Sequence, residues 1–382
     1  MSEWKATTLG DCCTSITDGD HQSLPVSEKG TPFIIISNIR NNRIDFTNTR
    51  FVPNDYYDSL DSTRKPSKGD LLYTVKGSFG IPVYVDTDNA FVFQRDIAIL
   101  KCNNTIDSKF LYYVLKSHMF AQKADSLAIG SAQRALTLKT LRNMDFSCPS
   151  LDIQTRIVKM LEVYDHLIEN NQRQIKLLEE VAQRLYKEWF IDLHFPGYED
   201  TPIVDGVPEG WKKGMLGDIS PFRRGKSITK AQVLGGDVPV VAGGLEPAYY
   251  HNKANTIAPV ITVSGSGVNA GFTRLYNVDV FASDCSYIDS NSTPFLLFVY
   301  CFLKTNKMNL DSLQKGSAQP HVYAKDLNAL ALSVPTEGVL SAFCDIASPY
   351  FERIRLLQRE NEISAQARDR LIPKLMSGEI EV

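Results

Sequence analysis

The sequence predicts an α+β fold in which two similar globular domains are separated by two long helices that pair as an antiparallel coiled coil. Short blocks of sequence occur twice in the same order, which indicates an internal duplication. Each copy mixes short β-type runs with segments of helical periodicity. Each copy is followed by a long stretch whose apolar residues recur at a coiled-coil spacing. The duplication also predicts an internal pseudo-two-fold relation between the two halves.

The duplication is clearest in the tetrapeptide Gly-Ser-Ala-Gln, which occupies residues 130–133 and occurs again at residues 316–319. A Trp and the triplet Leu-Gly-Asp open each copy, and a Pro precedes each long helical stretch. The spacing between matching blocks changes only stepwise, which indicates loops of different length between matching elements. The aligned positions are Trp4 with Trp211, 9–11 with 216–218, 74–75 with 262–263, 77–78 with 265–266, Asp96 with Asp284, and Pro149 with Pro335.

The order of these blocks divides the chain into four parts. Residues 1–150 and 193–335 are the two globular domains, residues 151–192 form a central long helix, and residues 336–382 form a C-terminal long helix. Both helical stretches carry a net negative charge, whereas the globular stretches are close to neutral. This distribution is compatible with domains that face a polyanion and helices that face other protein.

The helical stretches carry the seam of a coiled coil. Residues 151–190 contain neither Pro nor Gly, and their apolar seam has one polar interruption at Asn171. The second stretch has the same register with Asn361 at the seam, and opposing the two Asn residues places Tyr164 against Arg368. The alternative is that each helix packs only on its own globular domain. The residues predicted to pair are Leu161, Ile168, Asn171, Ile175, Leu178, Ile354, Leu357, Asn361 and Leu371.

Composition excludes several classes of protein. A chain of 382 residues is long enough for more than one hydrophobic core. It has no run of about 18 apolar residues that would predict a membrane span, and its N-terminus lacks the pattern of a signal peptide. The seven Cys are scattered without C-x-x-C spacing, and the six His are dispersed. We therefore expect a cytoplasmic chain with reduced thiols and no metal site.

No motif for catalysis is complete. An adenine amino-methyltransferase would need an Asn/Asp-Pro-Pro-aromatic motif, and none occurs. Residues 220–227 resemble a P-loop, but Ser220 stands where the first Gly belongs and Pro221 stiffens the loop. The basic residues that follow are better suited to contact nucleic-acid phosphate than to bind a nucleotide, although a solvated basic turn is the alternative. The sequence therefore predicts a protein without catalytic activity.

Further motifs resemble those of one family. Besides the two repeated blocks, the chain contains Lys-Gly-Asp-Leu-Leu at residues 68–72, Val-Pro-Glu-Gly-Trp-Lys at residues 207–212 and Leu-Ile-Pro-Lys-Leu-Met-Ser-Gly at residues 371–378. In this order they resemble the DNA-specificity subunits of Type I restriction–modification systems over nearly the whole chain. The first copy departs from the pattern because no Val-Pro-Glu-Gly precedes Trp4.

The resemblance implies a function as a DNA-binding specificity subunit of a restriction–modification complex. Each globular domain would be a target recognition domain for one half of a bipartite sequence in double-stranded DNA. The helices would set the spacer and dock two methyltransferase subunits, which bring S-adenosylmethionine and methylate adenine. Two restriction subunits, motor–nucleases that use ATP and Mg, would complete the complex. No cofactor is expected on this chain itself, and no membrane association.

Loops rich in Gly, Ser and basic residues occur in both copies and are the candidate DNA contacts, because such side chains contact bases and phosphates. Since Gly-Ser-Ala-Gln is unchanged between the copies, we expect it to contact phosphate or to form a backbone turn, whereas differing neighbours select bases. The alternative role is a helix N-terminus capped by Ser, which is compatible with phosphate binding. The predicted DNA-contacting residues are Lys76, Ser78, Gln94, Arg95, Ser131, Gln133, Arg134, Arg223, Arg224, Lys226, Ser264, Ser266, Ser317, Gln319 and His321.

Three alternatives share this architecture. One is a specificity subunit of a Type IIG or IIB-like system with a different enzymatic partner. Another is a coiled-coil scaffold whose two domains bind protein rather than DNA. The third is a fused restriction–modification polypeptide or its remnant, which would need a methyltransferase or nuclease motif. The identity of the partner subunits and binding to random duplex DNA would distinguish them.

Overall fold

The computed structural model describes residues 4–19, 24–130, 134–314 and 320–382. The chain forms two compact units. Unit 1 comprises residues 1–169 and 361–382, and unit 2 comprises residues 170–360. Each unit therefore contains one globular stretch together with part of both long helices.

Unit 1 opens with β1 (Lys5–Thr8), α1 (Leu9–Cys12) and β2 (Cys13–Asp18). Thr8 and Asp11 cap α1 reciprocally, because each side chain accepts a hydrogen bond from the other residue's amide at 3.2 Å. The remaining strands are β3 (Thr31–Ile34), β4 (Ile39–Arg40), β5 (Arg43–Ile44), β6 (Arg50–Val52), β7 (Leu71–Thr74), β8 (Pro82–Tyr84), β9 (Val92–Phe93), β10 (Ile97–Cys102) and β11 (Asp145–Cys148). The remaining helices are α2 (Asn54–Ser59), α3 (Ser108–Lys116), α4 (His118–Leu127), α5 (Leu138–Arg142) and α6 (Leu151–Phe190), whose residues from 170 onward belong to unit 2.

A four-stranded antiparallel sheet in the order β2-β10-β7-β8 lies at the centre of unit 1. Its inner strands are buried on both faces because their sequences are apolar without alternation. Leu71 and Tyr73 pack into the cluster that contains α3, whereas Leu72 packs with β3 and β9 on the opposite face. A three-stranded sheet β6-β3-β9, in which β3 and β9 are parallel, completes this second layer.

Unit 2 contains the second set of elements. Its strands are β12 (Ile203–Val204), β13 (Val207–Pro208), β14 (Lys212–Met215), β15 (Arg223–Arg224), β16 (Val238–Val241), β17 (Tyr249–His251), β18 (Val260–Ser264), β19 (Thr273–Tyr276), β20 (Phe281–Ala282), β21 (Cys285–Asp289) and β22 (Ala331–Val334). Its helices are α7 (Leu216–Ile219), α8 (Leu296–Thr305), α9 (Lys307–Ser312), α10 (Ala324–Asn328) and α11 (Glu337–Met376), whose residues from 361 onward belong to unit 1.

The two units have the same sheet topology. The sheet β15-β21-β18-β19 of unit 2 corresponds to β2-β10-β7-β8, and β17-β16-β20 corresponds to β6-β3-β9. In both three-stranded sheets one pair is antiparallel and the other is parallel. The strand pair β14–β22 corresponds to β1–β11. The predicted duplication of an α+β domain is therefore confirmed at the level of strand order and pairing.

The sequence alignment of the copies is out of register near the end of β7. Thr74 was aligned with Thr262, but its structural equivalent is Ser264, because each is the last residue of its strand. Gly77 and Gly267 then match, and both adopt a positive φ, of 74° and 77°. The shared Gly-Ser pairs at residues 77–78 and 265–266 are therefore not structural equivalents. The Gly in the left-handed region is Gly77 in unit 1, and in unit 2 it is Gly267, two residues after Gly265.

The long helices α6 and α11 pair antiparallel within each unit. In unit 1 the guanidinium of Arg368 on α11 forms an ion pair with Asp165 on α6. In unit 2 the Asn171 amide on α6 donates to the Glu360 carboxylate on α11 at 2.9 Å. Moving forward along α6 therefore corresponds to moving backward along α11, as an antiparallel pair requires. The paired coil predicted from the heptad pattern is confirmed.

The two polar contacts lie within one residue of the predicted register. Arg368 pairs with Asp165, which is the neighbour of the expected partner Tyr164, and Asn171 pairs with Glu360, the neighbour of Asn361. The individual residue pairs of the register stay predictions. Among the predicted pairing residues, the buried side chains are Leu161, Asn171, Ile354 and Leu357, and the half-buried ones are Ile168, Ile175, Leu178, Asn361 and Leu371.

A polar network attaches α3 to the helices of unit 1. The Tyr113 hydroxyl donates to Asp165 at 2.6 Å, and Asp165 also pairs with Arg368. Burial and the Asp165 charge raise the pKa of Tyr113, and burial together with the Arg368 charge lowers the pKa of Lys116. In unit 2 the attachment is largely aromatic, because Tyr186 of α6 packs among aromatic rings of α8 and α11. One polar contact accompanies it, from the Tyr300 hydroxyl on α8 to the Glu179 carboxylate on α6 at 3.4 Å. None of the helices in the described part of the chain is long and apolar enough to cross a membrane.

Candidate nucleic-acid interface

Three segments meet at one end of the central sheet of unit 1. The Val75 amide donates to the Asp96 carbonyl at 2.8 Å, and the Leu136 amide donates to the Val75 carbonyl at 2.8 Å. Lys76 and Ala135 face each other in a short antiparallel bridge. The segments after β7, before β10 and before α5 are thus tied together by main-chain hydrogen bonds. We call this meeting point, residues 75–78, 94–96 and 134–137, the unit 1 junction.

Several predicted DNA-contacting residues lie at the unit 1 junction. Lys76 and Arg95 line a cavity of about 310 Å³ there. Arg95 is exposed, and its Nε lies 4.0 Å from the Asp96 carboxylate. The Gln94 side chain is half-buried and donates to the other oxygen of Asp96 at 3.3 Å. Ser78 is exposed in the loop after β7. The structure therefore brings Lys76, Gln94 and Arg95 together although they come from two separate segments.

Arg134 is exposed but already has a partner. Its guanidinium forms an ion pair with Asp125 at 2.7 Å and lies 5.7 Å above the centre of the Phe79 ring. A contact of Arg134 with DNA requires this exposed pair to open, which costs little because such pairs contribute at most about 1 kcal/mol. The neighbouring predicted residues Ser131, Gln133, Ser317 and Gln319 lie outside the described residues.

Unit 2 has a junction of the same construction. The Gly265 amide donates to the Asp284 carbonyl at 3.1 Å, and the Val322 amide donates to the Gly265 carbonyl at 3.1 Å. Ser266 and His321 face each other in a short antiparallel bridge, as Lys76 and Ala135 do in unit 1. We call residues 264–267, 283–284 and 320–322 the unit 2 junction. One backbone arrangement therefore occurs twice with different side chains.

The side chains of the unit 2 junction differ in exposure. Ser264 is 3% exposed, and its hydroxyl donates to the Gly243 carbonyl at 3.0 Å, so this predicted contact is engaged inside the domain. Ser266 is half-buried and its hydroxyl donates to the Asp284 carboxylate. His321 is half-buried and stacks on Tyr323 with ring centres 5.8 Å apart.

A basic edge strand flanks the unit 2 junction. Arg223 and Arg224 form β15, at the edge of the four-stranded sheet, and both are exposed. The Lys226 amide donates to the Ala282 carbonyl at 2.9 Å, which places the strand end beside the junction. Gly225 is required there, because a Cβ at this position would lie 2.2 Å from the Ser283 carbonyl oxygen. The three predicted basic residues therefore lie on one edge beside the junction.

Two features of the junctions have no counterpart among the predicted site residues. Asp96 and Asp284 occupy equivalent positions, and each is linked to a polar side chain of its junction. Gly19 packs against the segment before Asp96, as Gly225 packs against the segment before Asp284 in unit 2. A Cβ added at Gly19 would lie 2.1 Å from the Phe93 carbonyl oxygen. The sequence repeats Phe-x-x-Asp at residues 93–96 and 281–284, which marked the two Asp residues. The two Phe residues are not structural equivalents, because Phe93 pairs with Ile34 whereas Ala282 pairs with Val241.

Three Cys of the two units lie in surroundings that keep their thiols protonated. Burial raises the pKa of Cys148 and Cys344 to about 11 and that of Cys285 to about 12. Such thiols stay protonated at neutral pH, whereas a nucleophilic Cys needs a lowered pKa. No cluster of three or more His, Cys, Asp or Glu suited to a metal ion occurs among the described residues. The exposed hydrogen-bonding and basic groups of the junctions are suited to binding.

Comparison with known proteins identifies the family. The family model described as "Type I restriction modification DNA specificity domain" matches residues 1–180 and 208–363. The chain is 24% identical over 342 residues to the Type I restriction enzyme MjaIX specificity subunit of Methanocaldococcus jannaschii, covering 82% of this chain and 78% of that protein. It is 22% identical over 475 residues to the Type I restriction enzyme HindI specificity subunit of Haemophilus influenzae, covering both proteins completely.

A solved structure has the same fold. The crystal structure of the Type I restriction–modification system S subunit from M. genitalium matches with a TM-score of 0.53 and 17% identity. The match covers 98% of this chain and 96% of that chain. The family resemblance predicted from the sequence motifs is therefore confirmed by matches over both repeats. The chain belongs to the family of Type I restriction–modification DNA specificity subunits.

Proposed function

We propose that residues 1–150 and 193–335 are two target recognition domains, each of which binds one half of a bipartite sequence in double-stranded DNA. The observation that carries the proposal is the repeated junction, in which one backbone arrangement presents different side chains in the two units. A shared backbone suits a shared task, and different side chains suit two different half-sites. The matched family model, which covers both repeats, supports the same assignment.

The charges around the junctions divide into two roles. The basic edge strand with Arg223, Arg224 and Lys226 is suited to phosphate, because exposed cations on a strand edge can follow a DNA backbone. The junction residues themselves, such as Arg95 and Asp284, lie at the loop ends where a base edge can approach. Phosphate contacts would position each domain, and the junction contacts would select the sequence.

We further propose that the helices dock methyltransferase subunits. The side of the coil opposite the globular domains carries large apolar side chains that are exposed to solvent. In unit 1 these are Met160, Val163 and Ile363, and in unit 2 they are Leu177, Val181, Ile346 and Leu356. All seven fall at positions c and g of the heptads, which lie on one side of an antiparallel pair. Exposed apolar stripes of this kind mark protein interfaces.

The duplication indicates how many partners the helices bind. Met160 and Ile346 occupy equivalent positions in the two repeats, and so do Leu177 and Ile363. Each unit therefore presents a similar apolar patch, which suits two copies of the same partner. We propose one methyltransferase subunit on each unit, and a cytoplasmic complex with S-adenosylmethionine on those subunits. In this proposal the chain itself performs no catalysis, and two ATP-dependent restriction subunits join the complex.

The proposal is tested by methylation of a randomised DNA library. The chain, assembled with its methyltransferase subunits, would methylate the library in the presence of S-adenosylmethionine, and sequencing would locate the methylated adenines. We expect one asymmetric motif of two separated parts with an unspecified spacer. A continuous palindromic motif would contradict two half-sites, and the absence of any sequence preference with intact assembly would contradict a role in DNA specificity.

A further inference from the structure

The two junctions differ in the length of the connection that leads into the central sheet. This connection is one residue longer in unit 1 than in unit 2. In unit 1 this connection runs from the Gln94 amide, which donates to β3, to the Asp96 carbonyl, which accepts from the residue after β7. In unit 2 the equivalent groups are the Ser283 amide, which donates to β16, and the Asp284 carbonyl. Asp284 follows Ser283 directly, whereas Arg95 stands between the two groups in unit 1. Arg95 is therefore an extra residue that unit 2 lacks.

The extra residue changes the charge of the junction. In unit 1 the junction contains the cations Lys76 and Arg95 and the carboxylate of Asp96. One oxygen of Asp96 accepts a hydrogen bond from Gln94, and the other faces Arg95. In unit 2 Ser266 stands at the position of Lys76, and Asp284 is exposed with no cation of the junction beside it. The unit 1 junction presents hydrogen-bond donors with positive charge, and the unit 2 junction presents an acceptor with negative charge.

The cations of unit 2 lie on a different element. Arg224 pairs with Ser286 at the edge of the sheet, and its structural equivalent in unit 1 is Asp18, which pairs with Ala98. Positive charge therefore lies at the junction in unit 1 and on the edge strand in unit 2. Cations at one junction and an exposed carboxylate at the other would make opposite hydrogen-bonding demands on any bases that the junctions meet.

We propose that the unit 1 junction recognises guanine through Arg95 and that the unit 2 junction recognises an exocyclic amino group, on cytosine or adenine, through Asp284. An Arg guanidinium donates two hydrogen bonds to the O6 and N7 acceptors of guanine, and a carboxylate accepts from the amino groups of cytosine or adenine. The Arg95 side chain is 54% exposed, and its contact to Asp96 at 4.0 Å is weak, so it is available to a base. Ser266 orients the Asp284 carboxylate. The inference rests on the proposed function as a DNA-specificity subunit.

The test compares methylation motifs of variant complexes on the randomised library. Arg95→Ala is expected to reduce the preference for one guanine in one half-site by about 5- to 150-fold, leaving the other half-site unchanged. Arg95→Lys is expected to retain the preference, because Lys also donates to guanine. Asp284→Ala is expected to reduce the preference for one cytosine or adenine in the other half-site by a similar factor. Arg50→Ala and Asp237→Ala, exposed substitutions outside the junctions, are the matched controls and should leave the motif intact.

Two results would overturn the inference while leaving the proposed function in place. One is an unchanged bipartite motif in both junction variants. The other is a uniform loss of methylation across all sequences by Arg95→Ala together with a smaller salt dependence, which would make Arg95 a phosphate contact. A wild-type complex without any bipartite motif would instead contradict the proposed function itself, so the two failures are distinguishable.

Discussion

At the scale of residues, the candidate interface contains exposed side chains that make few internal contacts. Arg223 and Arg224 are exposed on β15, and among the described residues neither has a carboxylate within ion-pair distance. They are held at the sheet edge by main-chain pairing with β21, so a ligand can engage them without breaking an internal contact. Gly225 keeps this strand against the junction, because any larger side chain would meet the Ser283 carbonyl.

We therefore predict that Arg224→Ala weakens DNA binding by the assembled complex to a similar degree for all sequences. The slope of log K against log salt concentration should fall in magnitude by about 1, because one phosphate contact is lost. Fluorescence anisotropy with labelled duplex over a series of salt concentrations measures both quantities. Lys212→Ala, on the separate strand pair β14–β22, is the control and should keep the wild-type slope. An unchanged slope in Arg224→Ala would remove this residue from the phosphate contacts.

At the scale of elements, the paired helices combine an apolar seam with buried polar contacts. Arg368 is 8% exposed on α11 and is satisfied by Asp165 and Asp369. Tyr113 of α3 donates to the same Asp165, so one carboxylate joins three helices. Removing one member leaves a buried charge without its partner, which is more costly than the net contribution of the pair.

We predict that Arg368→Ala lowers the free energy of unfolding of unit 1 by about 1–3 kcal/mol, because the half-buried Asp165 would lose its charged partner and keep only the Tyr113 hydrogen bond. Hydrogen exchange of amides in unit 1, combined with chemical denaturation, measures this loss. Arg156→Ala is the matched control and should change stability by at most about 0.5 kcal/mol. Arg156 pairs with Asp152, and the two side chains are 51% and 78% exposed. Equal effects of the two substitutions would contradict the role of the network.

Periodicity predicted the antiparallel pairing of the helices, whereas the partners of individual polar side chains could not be predicted from it. The heptad pattern identifies which side of α6 and α11 is buried, and it correctly predicted the antiparallel coil. The partners of the polar side chains depend on their individual reach, so Asn171 contacts Glu360 and Arg368 contacts Asp165. These contacts depart from the predicted register by one residue in opposite directions, so they indicate no net shift of the axial stagger. At the junctions, composition suggested exposed hydroxyls, yet Ser264 is buried because β18 extends through it and turns the side chain inward.

At the scale of the whole molecule, the duplication places one apolar patch and one junction in each unit. Leu177 of unit 2 is 60% exposed and Ile363 of unit 1 is 53% exposed, at equivalent positions of the repeated helices. In the proposed complex, two copies of one partner would bind these two similar surfaces on a single chain. An asymmetric DNA target and a symmetric set of partners are compatible, because the junctions differ whereas the patches are alike.

We predict that Leu177→Glu and Ile363→Glu each reduce the number of bound methyltransferase subunits from two to one. A charge in an apolar interface should weaken the affected site at least ~10-fold, while the equivalent site is unaffected. Native mass spectrometry of the assembled complex counts the subunits directly. Lys159→Glu, an exposed change on the charged side of α6, should leave two subunits bound. Loss of both subunits from either single variant, or of neither, would contradict separate docking on each unit.

The connection that contains Arg95 has a consequence for how such a chain changes its target. Both units hold this connection between equivalent main-chain hydrogen bonds although one connection is a residue longer. If the proposed base recognition by Arg95 holds, an in-frame gain or loss of one codon there would add or remove a base-facing side chain and leave the surrounding strands paired. New DNA specificities would then arise by a three-nucleotide insertion or deletion at this point, without compensating changes elsewhere in the gene.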